Sequence, residues 1–567
     1  MKQTSLRRFI EFMLYISIKR NSLTSRGRRD LKKASNEKNK SVEPQYKVLI
    51  TTSGIGSRLG EITDYTNKSL VLIGDKPAIS HIVEKYPPTV PIVVTLGHFG
   101  DHVKQFLTMV YPHRIFEYVE VEPFKGPGSS LAYSILQAKS YLQQPFIFHA
   151  SDSLLINENI PRPDKNWVGG AKSFDATNYA SFDVLGEKIT KFHDKGMVEF
   201  DYLHIGLVGI FDYAAFWSSL DQVLIDRYED STLNDLSVLQ KMLNSHTNFE
   251  CLEFENWLDI GNSHALIKAQ QIIEGRASVL RKPQESISFI DNKAIKFFFD
   301  SKICSLRVKR AEDLGTLIPK ITGTSNNFFS YEFVEGNPVS DSNDPLIVKD
   351  LLNWAKKKLW EPRKTLSGEV FLETSLKFYR EKTNERIDTF LNSRGLTDQE
   401  NVINNIEIPK LGRFLPKAID IVMTDLRQTR IHGDFILDNI ITHNNSFKLI
   451  DWRQDFGGSI YSGDLYYDLA KLNHSLRINH DLVSQNQFTV KQTDDSIICS
   501  ILLKDTLSDM SLELRNWVNE QGFDFQKISV LTSLIWLNMA PLHHHPFDIF
   551  LFNYGKYNLF KSVQLKS

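Results

Sequence analysis

Residues 47–60 read KVLITTSGIGSRLG, and this stretch decides the predicted fold of the first half of the chain. Its first six residues hold three consecutive aliphatic side chains, 48–50, and β-branched threonines, a composition and length typical of a buried strand. Two glycines follow, Gly54 and Gly56, which let backbone N–H groups approach an anion closely. Ser57 and the guanidinium of Arg58 come next, and a guanidinium offers donors suited to phosphate. The stretch predicts a strand followed by a phosphate-binding loop, although a simple tight turn after a strand has the same glycines.

Strand-like and helix-like segments alternate outward from this loop. Apolar runs of strand length occupy 91–96 and 146–150, and helical patterns occupy 78–86 and 129–141. This alternation of β and α segments predicts an α/β domain with a largely parallel sheet.

The alternation fades near Asn262, and this sets the predicted domain boundary. A polar helix is predicted over 263–280, and the lysine and proline at 282–283 interrupt the pattern directly after it. We therefore predict one domain over 46–280 and a second domain over 281–567.

The composition of all 567 residues excludes several classes of protein. There are 67 Lys and Arg against 68 Asp and Glu, a net charge of −1, which excludes a protein that coats nucleic acid. The three cysteines, Cys251, Cys304 and Cys499, lie far apart, which excludes a disulfide scaffold and a cysteine-rich zinc module. No apolar stretch approaches the roughly 18 residues of a membrane-spanning helix. We expect a cytoplasmic protein with no nucleic-acid partner and no transmembrane segment.

The first 40 residues differ from the rest, because they hold 12 Lys and Arg but only 3 Asp and Glu. A short apolar run at 9–18 precedes most of the basic residues. This composition is typical of a solvated, disordered extension, which we predict for 1–45. A membrane-surface helix or a targeting peptide is the alternative.

Lys68 and the segment GDKPAI at 74–79, which opens a predicted helix, extend the pattern of the first loop. The whole run resembles the sugar-phosphate nucleotidylyltransferase family. The signature of that family is a G-x-G-x-R-L loop, a lysine some ten residues later and a G-x-P segment at the start of a helix. The resemblance implies a doubly wound, Rossmann-like (GT-A-like) fold and transfer of a nucleotidyl group to a phosphate ester. It also implies that Gly54, Gly56 and Ser57 bind the nucleotide.

The resemblance continues in order to about residue 270. The segment Gly126-Pro127-Gly128-Ser129 is similar to the second glycine-rich loop of the family, which lies beside the nucleotide base. By this resemblance Gly126, Gly128 and Ser129 are further nucleotide-binding residues.

Two aspartates and one lysine also match positions of the family. Asp152 and Asp259 match its two metal-binding aspartates, which implies Mg²⁺ as cofactor, and Lys195 matches the lysine that binds the acceptor phosphate. Arg58 and Lys68 are then the catalytic cations that neutralise the nucleotide phosphates. Taken singly, Asp152 is also typical of a helix cap and Asp259 of a solvated turn.

Three departures from the family pattern leave the acceptor open. Threonines and a serine at 51–53 replace small apolar residues, Asn67 replaces a proline, and His193 and Asp194 replace parts of a Glu-Lys-Pro run.

A second set of residues lies in the C-terminal half, where 431–440 read IHGDFILDNI and 449–452 read LIDW. This pattern resembles the aminoglycoside phosphotransferase and choline kinase family, whose signature is H-G-D-x-x-x-x-N followed by a strand ending in I-D-W or I-D-F. The resemblance implies a bilobal, protein-kinase-like α+β domain. It implies Asp434 as catalytic base and Asn439 and Asp451 as Mg²⁺ ligands. A plain turn before two strands is the alternative, with Asp434 and Asn439 as ordinary turn formers.

Upstream residues complete the predicted second site. Lys296 is the candidate that binds the ATP phosphates, and Glu312 is a candidate for its partner on a helix. The segment 331–336 resembles the hinge between the two lobes, whereas the glycine-rich phosphate loop of protein kinases has no clear counterpart. Asp468 is predicted to be structural.

Two predicted sites on one chain suggest a bifunctional enzyme. The kinase half would phosphorylate a sugar, polyol or amino alcohol with ATP. The other half would couple the product to a pyrimidine nucleotide, CTP or UTP, to give an activated donor for surface polysaccharide or headgroup synthesis. One alternative is a choline kinase fused to a phosphocholine cytidylyltransferase. Another is a nucleotide-sensing protein with only one active domain.

Overall fold

The computed structural model describes residues 46–173, 176–227, 230–275, 283–444, 446–493 and 496–564. The predicted basic extension, 1–45, and the predicted boundary at residue 280 lie outside the described residues. No helix in the described part of the chain is long and apolar enough to cross a membrane.

The first half contains thirteen strands and six α-helices within the described residues. The strands are β1 Lys47–Thr51, β2 Leu72–Ile73, β3 Lys76–Pro77, β4 Ile92–Leu96, β5 Phe116–Glu120, β6 Phe146–Ala150, β7 Ser153–Leu155, β8 Trp167–Ala171, β9 Ser181–Leu185, β10 Lys188–His193, β11 Tyr202–Ile210, β12 Glu250–Glu253 and β13 Trp257–Asp259. The helices are α1 Ala78–Val83, α2 Gly100–Val110, α3 Leu131–Gln137, α4 Tyr213–Asp226, α5 Asp235–Asn244 and α6 Ser263–Ile272.

Nine of these strands form one sheet in the order β5-β4-β1-β6-β11-β8-β12-β10-β9. The four strands β5, β4, β1 and β6 are parallel, as predicted, and the three predicted strands of this region are confirmed. The prediction of a largely parallel sheet is wrong beyond β6, because β11 runs antiparallel to its neighbours β6, β8 and β9, and among the described strands of that part only β8 and β12 pair parallel. A two-residue turn joins β9 to β10, and β9 pairs antiparallel with both β10 and β11, so this part of the sheet is built from direct antiparallel pairings rather than from helical crossovers.

Both faces of the sheet are covered. Val48 and Ile50 of β1 pack into one core with α1, α2 and α6, whereas Leu49 packs into a second core with α3, α4 and α5. Alternate residues of a strand point to opposite faces, so the continuous apolar run of β1 is explained by burial on both sides.

The last helix of this half is shorter than predicted. It ends at Ile272 rather than at residue 280, and the chain then packs against Gly74. A Cβ built on Gly275 would lie 3.0 Å from the backbone of Gly74, so this close contact ends the helix. The residues at 276–280 lie outside the described part of the chain.

The second half contains twelve strands and ten α-helices within the described residues. The strands are β14 Glu285–Ile290, β15 Lys293–Phe298, β16 Ile321–Thr324, β17 Phe328–Glu332, β18 Asn401–Ile403, β19 Ile406–Ile408, β20 Gln428–Thr429, β21 Ile440–His443, β22 Ser446–Leu449, β23 Gly463–Asp464, β24 Phe488–Gln492 and β25 Ile497–Ile501. The helices are α7 Ser301–Leu314, α8 Ile347–Lys358, α9 Gly368–Leu376, α10 Lys382–Arg394, α11 Leu415–Val422, α12 Leu465–Ser475, α13 His480–Ser484, α14 Asp505–Glu520, α15 Phe525–Met539 and α16 Phe547–Gln564. A π-helical turn, Lys377–Glu381, joins α9 to α10.

A small antiparallel sheet, β14-β15-β17-β16, opens this half and packs against α7. Asp291 and Asn292 connect β14 to β15, and both have positive φ, 48° and 58°. Such a two-residue turn makes a tight hairpin. This explains why the sequence contains no glycine-rich phosphate loop here, because the connection is too short to enclose phosphates.

The two halves of the chain share a hydrophobic core. Phe297 and Phe328 of the small sheet belong to the same buried cluster as Phe106 of α2, and the rings of Phe106 and Phe328 lie 5.8 Å apart. Gln105 accepts a hydrogen bond from the backbone N–H of Asn327 at 2.9 Å. The predicted boundary therefore divides the sequence but not the core.

One ion pair in the second half is fully buried. Lys527 of α15 and Asp464, which caps the start of α12, are both 0% exposed and lie 3.2 Å apart. Lys527 also donates to the carbonyl of Thr424 at 2.7 Å. Burial raises the pKa of Asp464 and lowers that of Lys527, so each charge depends on the other.

Replacing Lys527 with methionine should therefore destabilise the chain strongly. We expect Lys527→Met to lower the free energy of unfolding by about 3–5 kcal/mol, because the buried carboxylate of Asp464 loses its partner. Urea denaturation monitored by tryptophan fluorescence measures this. Lys349→Met, which removes an exposed pair with Glu520, is the matched control and should cost less than about 1 kcal/mol. Equal effects of the two variants would contradict the prediction.

Candidate active sites

The first loop, 53–60, leaves β1 at the carboxyl end of the parallel strands. Gly56 has φ 72°, and a Cβ on it would lie 3.0 Å from Cβ of Lys68, so glycine is required there. Gly54 has open space around it, and Ser57 and Arg58 are exposed. The loop is thus accessible to a ligand and held close to Lys68.

Asn67, which departs from the family pattern, fixes the base of this loop. Its side-chain amide is fully buried and donates to the carbonyls of Thr52, at 2.8 Å, and His98, at 2.6 Å. Its Oδ1 accepts the backbone N–H of Ser69 at 2.9 Å. A proline side chain makes none of these bonds, so the asparagine ties the ends of β1 and β4 to the segment that carries Lys68.

Lys68 and Asp152 meet where two neighbouring parallel strands end. Thr51 of β1 pairs with Ala150 of β6, and Asp152 follows β6 by two residues. Nζ of Lys68 lies 2.9 Å from Oδ2 of Asp152. Burial opposes ionisation of Asp152, but Lys68 and Arg58 outweigh it and hold the pKa of the carboxyl below its usual range.

Asp259 reaches the same place from β13, which pairs with β7 so that Asp259 lies opposite Ser153. It accepts hydrogen bonds from the hydroxyl of Tyr179 at 3.0 Å and from the backbone N–H of Gly261 at 3.0 Å. Burial raises the pKa of Asp259, and the neighbouring carboxylate of Asp152 raises it further.

Gly261 marks the point where the two carboxylates converge. A Cβ on Gly261 would lie 3.0 Å from Oδ1 of Asp259, 3.1 Å from Oδ2 of Asp152 and 3.5 Å from Nη2 of Arg58. In the described part of the chain no group of three or more His, Cys, Asp or Glu side chains is arranged to hold a metal. Two carboxylates fit Mg²⁺, which usually takes one or two protein carboxylates and completes its shell with water and substrate phosphates.

The second glycine-rich segment precedes α3. Gly126 and Gly128 both have positive φ, 80° and 81°, and Oγ of Ser129 donates to the carbonyl of Gly126 at 2.6 Å. The hydroxyl of Ser53, at the start of the first loop, donates to Oγ of Ser134 on α3 at 2.9 Å. The structure thus brings the two glycine-rich segments to the same end of the sheet.

Lys195 is not brought into contact with the carboxylates. It is exposed in the turn after β10 and makes no hydrogen bond or ion pair with other described residues. The next residue, Gly196, donates its N–H to the carbonyl of Ala176 at 2.9 Å, and Tyr179 donates to the same carbonyl. Lys195 therefore lies in a turn bonded to the segment whose Tyr179 contacts Asp259, and its role in phosphate binding stays a prediction.

The residues of the second site lie at the two ends of the hairpin β21–β22. Nδ2 of Asn439 donates to the carbonyl of Asp434 at 3.0 Å and to its Oδ2 at 3.1 Å. Asp451 has φ 59°, forms a close ion pair with Lys296 and lies 3.7 Å from Nη1 of Arg307. Lys296 is buried on β15, unlike the exposed lysines that strands usually carry.

The donor set at this second site also suits Mg²⁺. Asn439 and Asp451 flank the hairpin, and amide and carboxylate oxygens are the ligands that Mg²⁺ takes in proteins. Although burial raises the pKa of Asp451, Lys296 and Arg307 outweigh it and keep the net pKa below the usual range.

Asp468 fixes the backbone of the H-G-D segment. One carboxylate oxygen accepts the N–H of His432 at 2.8 Å and Nε1–H of Trp360 at 3.0 Å, and the other accepts the N–H of Gly433 at 2.7 Å. Burial raises the pKa of Asp468 to about 6. The predicted structural role of Asp468 agrees with these contacts, which hold the loop that carries Asp434.

His432 joins this segment to the strand that ends before Asp451. Burial lowers the pKa of His432 to about 4, so its ring is neutral near pH 7. Its Nδ1 accepts the N–H of Asp434 at 3.3 Å, and Nε2 then donates to the carbonyl of Ile450 at 2.9 Å.

Two basic residues that contact the predicted site, Arg307 and Lys471, were not among the predicted residues. Arg307 of α7 contacts Asp451. The predicted helix partner of Lys296, Glu312, is exposed and does not pair with Lys296, so the prediction for Glu312 is wrong. Nζ of Lys471 lies 2.7 Å from Oδ1 of Asp434. Lys471 follows Asp468 by three residues, which places both on one helix face. That spacing could have indicated Lys471 from the sequence, whereas no sequence pattern indicated Arg307.

No protein-family model matches the chain, and no curated protein matches it. Solved structures do match. One is a CTP:phosphocholine cytidylyltransferase from Streptococcus pneumoniae, 19% identical, covering 41% of this chain and 100% of that chain with a TM-score of 0.36. A UDP-glucose pyrophosphorylase complexed with UDP-glucose is 17% identical and covers 40% of this chain and 98% of its own, with a TM-score of 0.36. An inositol-1-phosphate CTP transferase from T. maritima is 17% identical and covers 41% of this chain and 96% of its own, with a TM-score of 0.33.

Replacing Gly261 with alanine should disturb the pair of carboxylates. The new Cβ would stand within 3.1 Å of an oxygen of Asp152 and of Asp259, so the carboxylates must move apart. Losing such local order around a metal site typically weakens metal affinity about 10- to 100-fold. We expect Gly261→Ala to weaken Mn²⁺ binding by this amount, measured by electron paramagnetic resonance in the presence of CTP or UTP.

Mn²⁺ binding is compared between chains that both carry Asp451→Asn, so that the second site contributes less to the resonance signal. Gly368→Ala is the control, because a Cβ there meets nothing within 4 Å. Unchanged Mn²⁺ affinity in a folded Gly261→Ala variant would refute the predicted cation site.

Proposed function

We propose that the chain is a bifunctional enzyme that phosphorylates a small hydroxylated substrate with ATP and then couples the phosphate to a pyrimidine nucleotide. The observation that carries the first activity is the convergence of Asp152, Asp259 and Arg58 around Gly261, with Lys68 paired to Asp152. Two carboxylates and two cations beside a glycine-rich loop form an arrangement suited to joining two phosphate-bearing substrates.

In the nucleotidyl transfer, a phosphate oxygen of the acceptor attacks the α-phosphorus of the nucleoside triphosphate. The bond from the α-phosphorus to the bridging oxygen breaks, and pyrophosphate leaves. The loop residues Gly54, Gly56 and Ser57 bind the nucleotide phosphates, and Arg58 and Lys68 neutralise charge that grows on them. Mg²⁺ held by Asp152 and Asp259 would supply a further positive charge. Because no protein nucleophile is needed, catalysis rests on position and charge.

The base and the acceptor bind on either side of these cations. Gly126, Gly128 and Ser129, tied to the first loop through Ser53 and Ser134, lie at the end of the sheet where a nucleotide base would stack. Lys195 is assigned to the acceptor phosphate.

The second activity rests on the paired groups of the hairpin site. Asp434, held by Asn439, accepts the proton of the acceptor hydroxyl as its oxygen bonds to the γ-phosphorus of ATP. The bond from the γ-phosphorus to the bridging oxygen breaks, and ADP leaves. Lys296 binds the ATP phosphates, and Asn439 with Asp451 would hold Mg²⁺, which would add positive charge beside those phosphates.

The product of the second site is the acceptor of the first, which suggests the order of the two steps. CTP or UTP is the proposed nucleotide, and an activated donor for surface polysaccharide or headgroup synthesis, made in the cytoplasm, is the proposed product. The pair of choline kinase and phosphocholine cytidylyltransferase is the alternative assignment, and a nucleotide sensor with one active domain is the other.

The test measures pyrophosphate and ADP in parallel. The chain receives ATP, Mg²⁺, each nucleoside triphosphate and a pooled panel of sugars, sugar acids, polyols and choline-like alcohols, with or without their phosphate esters. We expect Asp434→Asn to lower ADP release about 100-fold or more while pyrophosphate still forms from added phosphate esters. We expect Asp152→Asn to lower pyrophosphate release to a similar degree and to leave ADP release intact.

Asp509→Asn is the control for both substitutions, because Asp509 is exposed on α14. Pyrophosphate without ADP would select the alternative with one active domain, and ADP and pyrophosphate from choline would select the choline alternative. Release that both substitutions leave unchanged would remove the assignment of these sites.

A further inference from the structure

A group of basic side chains beside Asp434 has no part in the proposed chemistry. Lys471 pairs with Asp434, Arg453 follows Asp451 by two residues, and Lys382 and Arg386 lie one turn apart on α10. Residues four apart on a helix share a face, so Lys382 and Arg386 point the same way. We call Lys382, Arg386, Arg453 and Lys471 the cation cluster.

Two members of the cation cluster lie against the ring of Phe378. Nζ of Lys382 lies 4.4 Å from the ring centre, and Cζ of Arg453 lies 5.2 Å from it. The ring packs in turn on Phe456, 4.3 Å away, and Tyr467, 4.9 Å away. Phe378 belongs to the π-helical turn that joins α9 to α10, and such turns occur frequently at functional sites.

The cluster is continuous with the proposed kinase site. Arg453 donates its backbone N–H to the carbonyl of His432 at 3.1 Å, and its Cβ would be 2.8 Å from a Cβ built on Gly433. These contacts place Arg453 against the H-G-D segment at Gly433, the residue before Asp434. The cations therefore border the place where the acceptor hydroxyl must meet Asp434.

Positive charge in the cluster exceeds the negative charge around it. Lys382 and Arg386 form no ion pair with other described residues. Among carboxylates, Asp455 acts on Lys382 and Asp434 acts on Lys471, and Asp455 already accepts the N–H of Gly458 at 2.9 Å. Burial lowers the pKa of Lys382 well below its usual value, and the neighbouring cations Arg453, Arg386 and Lys471 lower it further.

We propose that the alcohol phosphorylated at Asp434 carries a negatively charged group, a carboxylate or a phosphate ester, which binds Lys382, Arg386 and Arg453. An anion there would compensate the partly buried positive charge of the cluster, whereas a cationic alcohol would add to it. A quaternary ammonium group commonly binds over an aromatic face. The nearby ring of Phe378 already lies against two cations of the chain itself, which disfavours choline. This inference rests on the proposed kinase activity and narrows its substrate class.

In the proposed phosphorylation, each bond that forms is matched by one that breaks. The acceptor hydroxyl gives its proton to Asp434, its oxygen bonds to the γ-phosphorus of ATP, and the bond from that phosphorus to the bridging oxygen breaks to release ADP. The acidic group of the acceptor takes no part in bond making and serves to orient the hydroxyl.

The test compares three pools of alcohols at equal ionic strength. One pool holds polyhydroxy acids and sugar phosphates, the second holds neutral sugars and polyols, and the third holds choline and amino alcohols. We expect ADP release with the anionic pool alone. The Lys382→Gln/Arg386→Gln variant should raise the KM for the active anionic pool about tenfold or more and leave the KM for ATP unchanged. ADP from the neutral or cationic pool alone would overturn the inference while the kinase activity stood.

A second measurement does not require turnover. By mass action, a ligand that binds the folded chain raises its thermal unfolding midpoint. We expect the anionic pool to raise the midpoint of the wild type and of Asp434→Asn more than the neutral pool does, and Lys382→Gln/Arg386→Gln to abolish the difference.

Lys357→Gln/Lys417→Gln removes two exposed charges and is the matched control, which should keep the shift. A shift without ADP would support the anion site and refute the kinase activity. No shift with the anionic pool would refute the anion site. A shift with only the carboxylates or only the phosphate esters would identify the acidic group.

Discussion

Two carboxylates that approach each other are the constraint on which the first half depends. Asp152 and Asp259 converge on Gly261, and like charges this close oppose ionisation, as the raised pKa of Asp259 reflects. The arrangement is tolerable because Lys68 and Arg58 supply opposite charge from the first loop. The parallel pair β1 and β6, the amide of Asn67 and the missing side chain at Gly261 all serve to bring these four groups together.

The second half meets the same constraint in a different way. There each acidic group has its own cation, with Lys296 and Arg307 on Asp451 and Lys471 on Asp434. A buried carboxylate, Asp468, accepts three N–H groups around the H-G-D segment. It therefore fixes the backbone conformation of that segment rather than neutralising a cation. Both halves therefore hold acidic residues in place with basic ones, and guanidinium and ammonium groups are also suitable donors to phosphate.

Sequence patterns predicted the parts of the structure that depend on local order. The strand before Gly54 and the strand before Asp152 follow from apolar runs, and the structure has both of them. The patterns failed where distant segments decide the outcome. The direction of β11 depends on its antiparallel pairing with β6, β8 and β9, the end of α6 depends on Gly74, and the pairing of Arg307 with Asp451 depends on which face of α7 turns inward. The role of Asn67 was equally hidden, because its hydrogen bonds join backbone carbonyls that are far apart in sequence.

The shared core explains how two sites can belong to one body. Neighbouring residues of a strand point to opposite sides. On β15, Lys296 therefore faces Asp451 while Phe297 enters the core that it shares with α2 of the first half. The residue before α2, Phe99, packs its ring 5.8 Å from that of Phe299, and the preceding His98 donates its N–H to the carbonyl of Ser53 in the first loop. A few packed residues thus connect the lysine of one site to the loop of the other. The position of one site relative to the other is therefore set by packing at this core.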